Sequence, residues 1–132
     1  MKPTDEQVAE MMRANPEESI CLVNLLKFRD RAEYAESVPE AKMAISGSEA
    51  FSKYMDGFRG VIEQLGGKLI YSEKARRFII GEGDWDRVAV IYLPARKFFL
   101  VMQQMPEFQA VKHHRDAGLL HQDLTETAAN AL

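Results

Sequence analysis

The sequence predicts an α+β fold built on a four-stranded antiparallel sheet with two helices on one of its faces. Two observations predict it. Once a leading helix is set aside, the hydrophobic patterns run strand, helix, strand, strand, helix, strand, which is the split βαβ order. The segment 19–28 is also apolar on both faces, with Ile20, Leu22, Leu26 and Phe28 on one and Cys21, Val23 and Leu25 on the other. Two helices cover only one face of the sheet. The other face is therefore expected to meet its copy in a second subunit, giving a two-fold homodimer.

Each element has its own justification. Residues 4–15 open with Thr-x-x-Gln, in which Thr4 caps an orphan amide and Gln7 reaches back, and Asn15-Pro16 closes the helix. Residues 29–47 carry mixed charge and Pro39, so they are expected to form a long connection able to fold over a cleft. Ser46-Gly47-Ser48-Glu49 offers a second capping box. Phe51, Met55, Phe58, Ile62 and Leu65 follow at helical spacing until Gly66-Gly67 stops the main helix. Gly57 and Gly60 inside it each cost about 1 kcal/mol relative to Ala, which close packing against the sheet is expected to offset. Residues 68–80 and 86–93 read as two strands joined by a turn at Gly81-Glu82-Gly83-Asp84. Pro94 leads into a helix over 97–105, Pro106 restarts it as 107–116, and Gly118 ends it before a last strand at 119–125.

Length and composition bound the rest. A chain of 132 residues makes one domain, comprising a helical extension (1–18), a core (19–126) and a tail (127–132). Apolar content of 46%, charged content of 28% and a net charge of −3 describe an ordinary globular protein, not a disordered one. Lys74, Arg76 and Arg77 form the one dense basic cluster, too small a footprint for a nucleic-acid partner. The first residues have no apolar run behind them, and Asn24 interrupts the longest apolar stretch, so neither a signal peptide nor a membrane partner is expected, and a cytoplasmic location is. Cys21 is the single cysteine and reads as a small buried hydrophobe.

Several residues carry a family resemblance. Asn24-Leu25-Leu26-Lys27-Phe28-Arg29, the Trp85-Asp86-x-Val88 entry to the third strand, Pro94, Pro106-Glu107-Phe108-Gln109-Ala110 and His114-Arg115 occur in the order found in the bacterial domain-of-unknown-function family thirteen-thirty, which the chain resembles over nearly all its length after Ser19. That resemblance implies the ferredoxin-like fold and a dimeric α/β barrel. It also implies a pocket between helices and sheet, as in cofactor-independent monooxygenases and muconolactone isomerases of the superfamily. Leu93-Pro94-Ala95 departs from the Tyr-Pro-Ser of many family members and lacks its hydroxyl. A shared fold does not transfer a function.

The candidate site is built around residues 107–115, where helical spacing aligns His114 and Arg115 with Phe108 and Val111. A cation and a titrating ring aimed at apolar space need partners, and a ligand is one such partner. Asn24 adds an amide on an apolar strand face, Tyr54 a phenol between Phe51 and Phe58, and Trp85 a large ring at the third strand's entry. Each also has a plain structural reading: Asn24 tying down a loop, Tyr54 and Trp85 packing, Arg115 in an ion pair with Asp86, Glu82 or Asp116. His113 is expected on the solvated face. No metal site is expected, because the two histidines are adjacent and His121 lies in another element. No cofactor is expected either, since no glycine-rich phosphate loop follows a strand.

Two functions remain open. One is a homodimer that binds a small acidic or aromatic molecule through Asn24, Tyr54, Trp85, His114 and Arg115. The other is a cofactor-independent monooxygenase or isomerase in which His114 is the base and Arg115 holds the developing oxyanion.

Overall fold

Thr4 starts the first helix as its spacing requires. Its hydroxyl accepts from the Gln7 amide at 3.1 Å, and its own amide donates to the Gln7 side chain at 2.8 Å. This is the expected capping box, and α1 spans Asp5–Arg13. The computed structural model describes residues 2–130. Beyond Pro16 the chain turns extended and forms β1 (Ile20–Phe28), followed by α2 (Gly47–Gln64), β2 (Lys68–Lys74), β3 (Arg87–Leu93), α3 (Lys97–Gln104), α4 (Pro106–Gly118) and β4 (Leu119–Ala128).

The four strands form one antiparallel sheet in the order β2-β3-β1-β4, the ferredoxin-like arrangement expected from the element order. Alternation along the central strand decides what faces what. Ile20, Leu22, Asn24, Leu26 and Phe28 are buried under the helices, whereas Val23 and Leu25 on the outer face are only half-buried. From α2, Phe51, Tyr54, Phe58, Val61 and Ile62 fill the space above the inner face, and Phe108 of α4 joins them. Backbones approach closely where α2 begins and α4 ends: a Cβ on Gly118 would stand 2.5 Å from the Gly47 carbonyl oxygen.

The structure moves several expected boundaries. The strand expected over 68–80 stops at Lys74, because β3 begins only at Arg87 and offers no ladder partner beyond the Lys74–Arg87 pair. Residues 75–86 leave the sheet as a loop closed by the Ala75 amide on the Asp86 carbonyl at 2.9 Å. The last strand continues to Ala128 because Ile20 and Cys21 of β1 pair with Ala128 and Thr127. The expected tail therefore does not begin at 127, and its residues 131–132 lie outside those described. Met105 is extended between α3 and α4, as a residue before proline must be. At Ser46 only half of the expected box forms. The hydroxyl accepts from the Glu49 amide at 3.0 Å, while the Glu49 carboxylate takes the hydroxyl proton instead of the cap's backbone amide.

Two packing expectations also change. Gly57 meets Val111 of α4 and not the sheet, with an added Cβ 2.5 Å from Val111 Cγ1, and Gly60 faces open space. The sheet-facing stripe of α2 is taken by the larger residues at 51, 54, 58, 61 and 62, which leaves both glycines beside it. The 29–46 connection is likewise no lid over a cleft. The amides of Arg29 and Glu33 donate to the carbonyls of Gly118 and Ala117 at 2.8 and 2.9 Å, which ties the connection to the end of α4.

Candidate functional site

Between the helices and the inner face of the sheet lies a cavity of about 750 Å³. Leu22, Leu26 and Ile91 form its floor, Phe51, Tyr54, Phe58 and Phe108 its aromatic wall, and Val8 and Met11 of α1 border its mouth. Three of the four rings of the aromatic wall come from one stripe of α2 and the fourth, Phe108, from α4. Tyr54 stacks on Phe58 with ring centroids 4.9 Å apart and 18° between planes, and both meet the Phe108 ring edgewise at 6.2 and 6.1 Å.

A polar patch interrupts these walls. Asn24 is 7% exposed, and its Oδ1 accepts from Gln122 Nε2 at 2.9 Å. Gln122 Oε1 in turn accepts from Arg115 Nη2, and Arg115 Nη1 donates to Asp116 Oδ1 at 2.9 Å. Three elements thus supply one hydrogen-bonded run. The inner face of β1 gives Asn24, β4 gives Gln122, which pairs with Leu26 two positions further along β1, and α4 gives Arg115. The Asn24 amide nitrogen also reaches the Leu22 and Ala89 carbonyls at 3.4 and 3.5 Å, so the residue holds strands together as well as lining the cavity. Burial pushes the Tyr54 phenol far above its ordinary range, with Arg115 opposing and Asp116 adding to the shift, so this hydroxyl stays protonated at neutral pH.

Of the five expected site residues, Asn24, Tyr54 and Arg115 line this cavity, while His114 and Trp85 are not among its lining residues. The reason for His114 is angular. At 100° per residue Arg115 returns to the line of Phe108 and Lys112, whereas His114 points roughly 120° away from it, beyond Val111. There its Nδ1 is 2.7 Å from the Tyr34 hydroxyl, and its ring meets that of His113 with centroids 4.0 Å apart. Burial, His113 and Lys53 hold the His114 pKa below the usual imidazole value, with Glu40 opposing. Trp85 stands two residues before β3, half-buried. Asp86, offered above as a partner for Arg115, instead accepts from the Phe28 amide at 2.8 Å and sits 3.5 Å from Lys27 Nζ.

Sequence reasoning missed three contributors to this site. Lys112 shares the line of Phe108 and Arg115, and helical spacing alone would have shown it. Gln122 needed the strand register, which only the pairing with β1 reveals. Arg96 needed the tertiary fold: 6% exposed, it binds the Asn15 carbonyl and the carboxylates of Glu18 and Glu126 beside the cavity. Among the described residues, no helix is long and apolar enough to cross a membrane.

No protein-family model matches the sequence, and no curated protein does. Among solved structures, the chain is similar to RPA0582 from Rhodopseudomonas palustris, a protein of unknown function, with 27% identity, TM-score 0.82, and 96% of this chain and 93% of the other covered. It is similar in fold to a dimeric ferredoxin-like protein of unknown function from Thermobifida fusca, with 13% identity, TM-score 0.50 and coverage of 87% and 94%. The same holds for SnoaB, a cofactor-independent oxygenase from Streptomyces nogalater, with 12% identity, TM-score 0.50 and coverage of 85% and 93%. These likenesses agree on the ferredoxin-like fold.

Proposed function

We propose that the protein is a homodimeric binder of a small aromatic carboxylic acid, held in the cavity between helices and sheet. One observation carries the reading. A cavity of about 750 Å³ has a wall of four aromatic rings and, continuous with it, the Asn24–Gln122–Arg115 run of amides and a guanidinium. Apolar walls with a few fixed polar groups are the ordinary composition of a small-molecule site. A planar guanidinium recognises a carboxylate through its fork, and Lys112 adds a second positive charge on the same helix face. The resemblance to family thirteen-thirty and the likeness to RPA0582 are compatible with this reading and name no ligand.

The dimer belongs to the same proposal. Val23 and Leu25 of β1 lie on the outer face with Val88 and Val90 of β3, half-buried and uncovered by any helix. The Thermobifida fusca neighbour, which shares the fold, is dimeric by its description. The enzyme reading has less support. It placed His114 in the cavity as base, and among the described residues no histidine lines it.

A thermal-shift panel tests the proposal. Aromatic carboxylates should raise the melting temperature in a concentration-dependent way, since a ligand that binds only the native state stabilises it, and their neutral amides should not. Arg115→Gln should abolish the rise. A panel in which no carboxylate stabilises the protein, or in which acids and amides act alike, contradicts the reading.

A further inference from the structure

We propose that Glu40, His113 and His114 form a binding site for a divalent transition-metal ion of the zinc type, at the junction of the 29–46 connection and the C-terminal half of α4. Each of the three side chains offers one ligand atom, and these atoms all lie within 4.8 Å of one another. Ligand atoms around a tetrahedral ion at about 2.1 Å stand roughly 3.4 Å apart. The side chains therefore have at most about 1.4 Å to close, and His113 is exposed to solvent.

Three further observations support the assignment. Glu40 Oε2 is buried and has no hydrogen-bond partner among the described residues, an arrangement that costs free energy unless something positive sits beside it. The His114 ring is fixed in orientation by the Tyr34 hydroxyl on Nδ1 at 2.7 Å, the kind of outer hydrogen bond that prepares an imidazole for coordination. Adjacent helical residues normally diverge by 100°, yet the His113 and His114 rings lie with centroids 4.0 Å apart, so both face the same small volume. Two imidazoles and one carboxylate favour a borderline ion such as Zn²⁺ over Mg²⁺ or Ca²⁺, which prefer all-oxygen shells. Three protein ligands leave a position for water. Lys53 of α2 lies within electrostatic range of His114 and opposes a cation, so the carboxylate of Glu40 is needed to offset it.

The histidines alone gave no sign of this site, because the third ligand comes from a turn far earlier in the chain, Pro39–Lys42. The site is independent of the ligand reading, since neither Glu40 nor either histidine lines the cavity. Its consequence is mechanical: a bound ion would clip the connection onto α4.

The test is calorimetric titration of zinc chloride into the whole chain, free of any histidine tag and stripped with a chelator. One Zn²⁺ per chain should bind. Glu40→Gln and His113→Ala should each weaken binding by about tenfold or more, Tyr34→Phe by about 10–100-fold, and His121→Ala should leave it unchanged. Should a variant fail to fold, imidazole resonances of the unmodified protein decide: zinc should shift those of His113 and His114 and spare His121. Absence of binding, equal affinity in folded Glu40→Gln and His113→Ala, or a shift at His121 instead would overturn the proposal.

Discussion

Arg96 donates through Nε and Nη2 to both oxygens of Glu126 at 2.8 and 3.1 Å, and through Nη2 to Glu18 at 2.6 Å. Only a planar fork can serve both carboxylates and the Asn15 carbonyl at once. Arg96→Lys keeps the charge and loses the geometry, and should cost about 2 kcal/mol, read as a lower urea midpoint at unchanged slope. Nothing local in the sequence marked this residue, because its partners lie near both ends of the chain. His114 gives a pH prediction with a definite sign. Burial holds its folded-state pKa below the unfolded value, so in the window below about pH 6.5 the unfolded chain binds more protons. The contribution is complete above the unfolded pKa and is lost as pH falls through it toward the folded one. With a chelator present, urea unfolding at about pH 7.5 and 5.5 should show wild type losing more stability on acidification than His114→Gln; equal losses contradict the assignment.

At the scale of elements, the two glycines of α2 make opposite predictions. Gly60→Ala adds a methyl into open space and removes glycine's backbone freedom, so it should stabilise by about 1 kcal/mol. Gly57→Ala should destabilise, because its methyl would press on Val111 and separate α2 from α4. Thermal melts of the pair check both signs. Most elements were legible from periodicity, caps and prolines, since those signals are local: Thr4 with Gln7, the apolar stripe of α2, and Pro106 all act where they stand. What escaped was set by partners. β2 ends where β3 ceases to offer a ladder, and β4 runs on because β1 does. Within the site, Asn24, Tyr54 and Arg115 were legible as polar groups on apolar faces. His114 was misplaced because it was counted on the Phe108 line when its angle sets it beyond Val111.

For the whole molecule, the proposed assembly rests on the outer sheet face. Val23, Leu25, Val88 and Val90 form an apolar strip that an isolated chain would leave against water. Sedimentation equilibrium at micromolar concentration should give a species twice the 15.0 kDa of one chain, and Val90→Glu should return it to the mass of one; a monomeric wild type would contradict the proposed dimer. The cavity on the opposite face carries the central claim, that an aromatic carboxylate lies between the aromatic wall and the Asn24–Gln122–Arg115 run. The most direct measurement is an NMR titration of labelled protein with the best-stabilising acid, following side-chain amide resonances. The account predicts that the amides of Asn24 and Gln122 shift in a saturable manner and that the rings of His113 and His114 do not. Shifts confined to the histidines, or none at saturating acid, would contradict it.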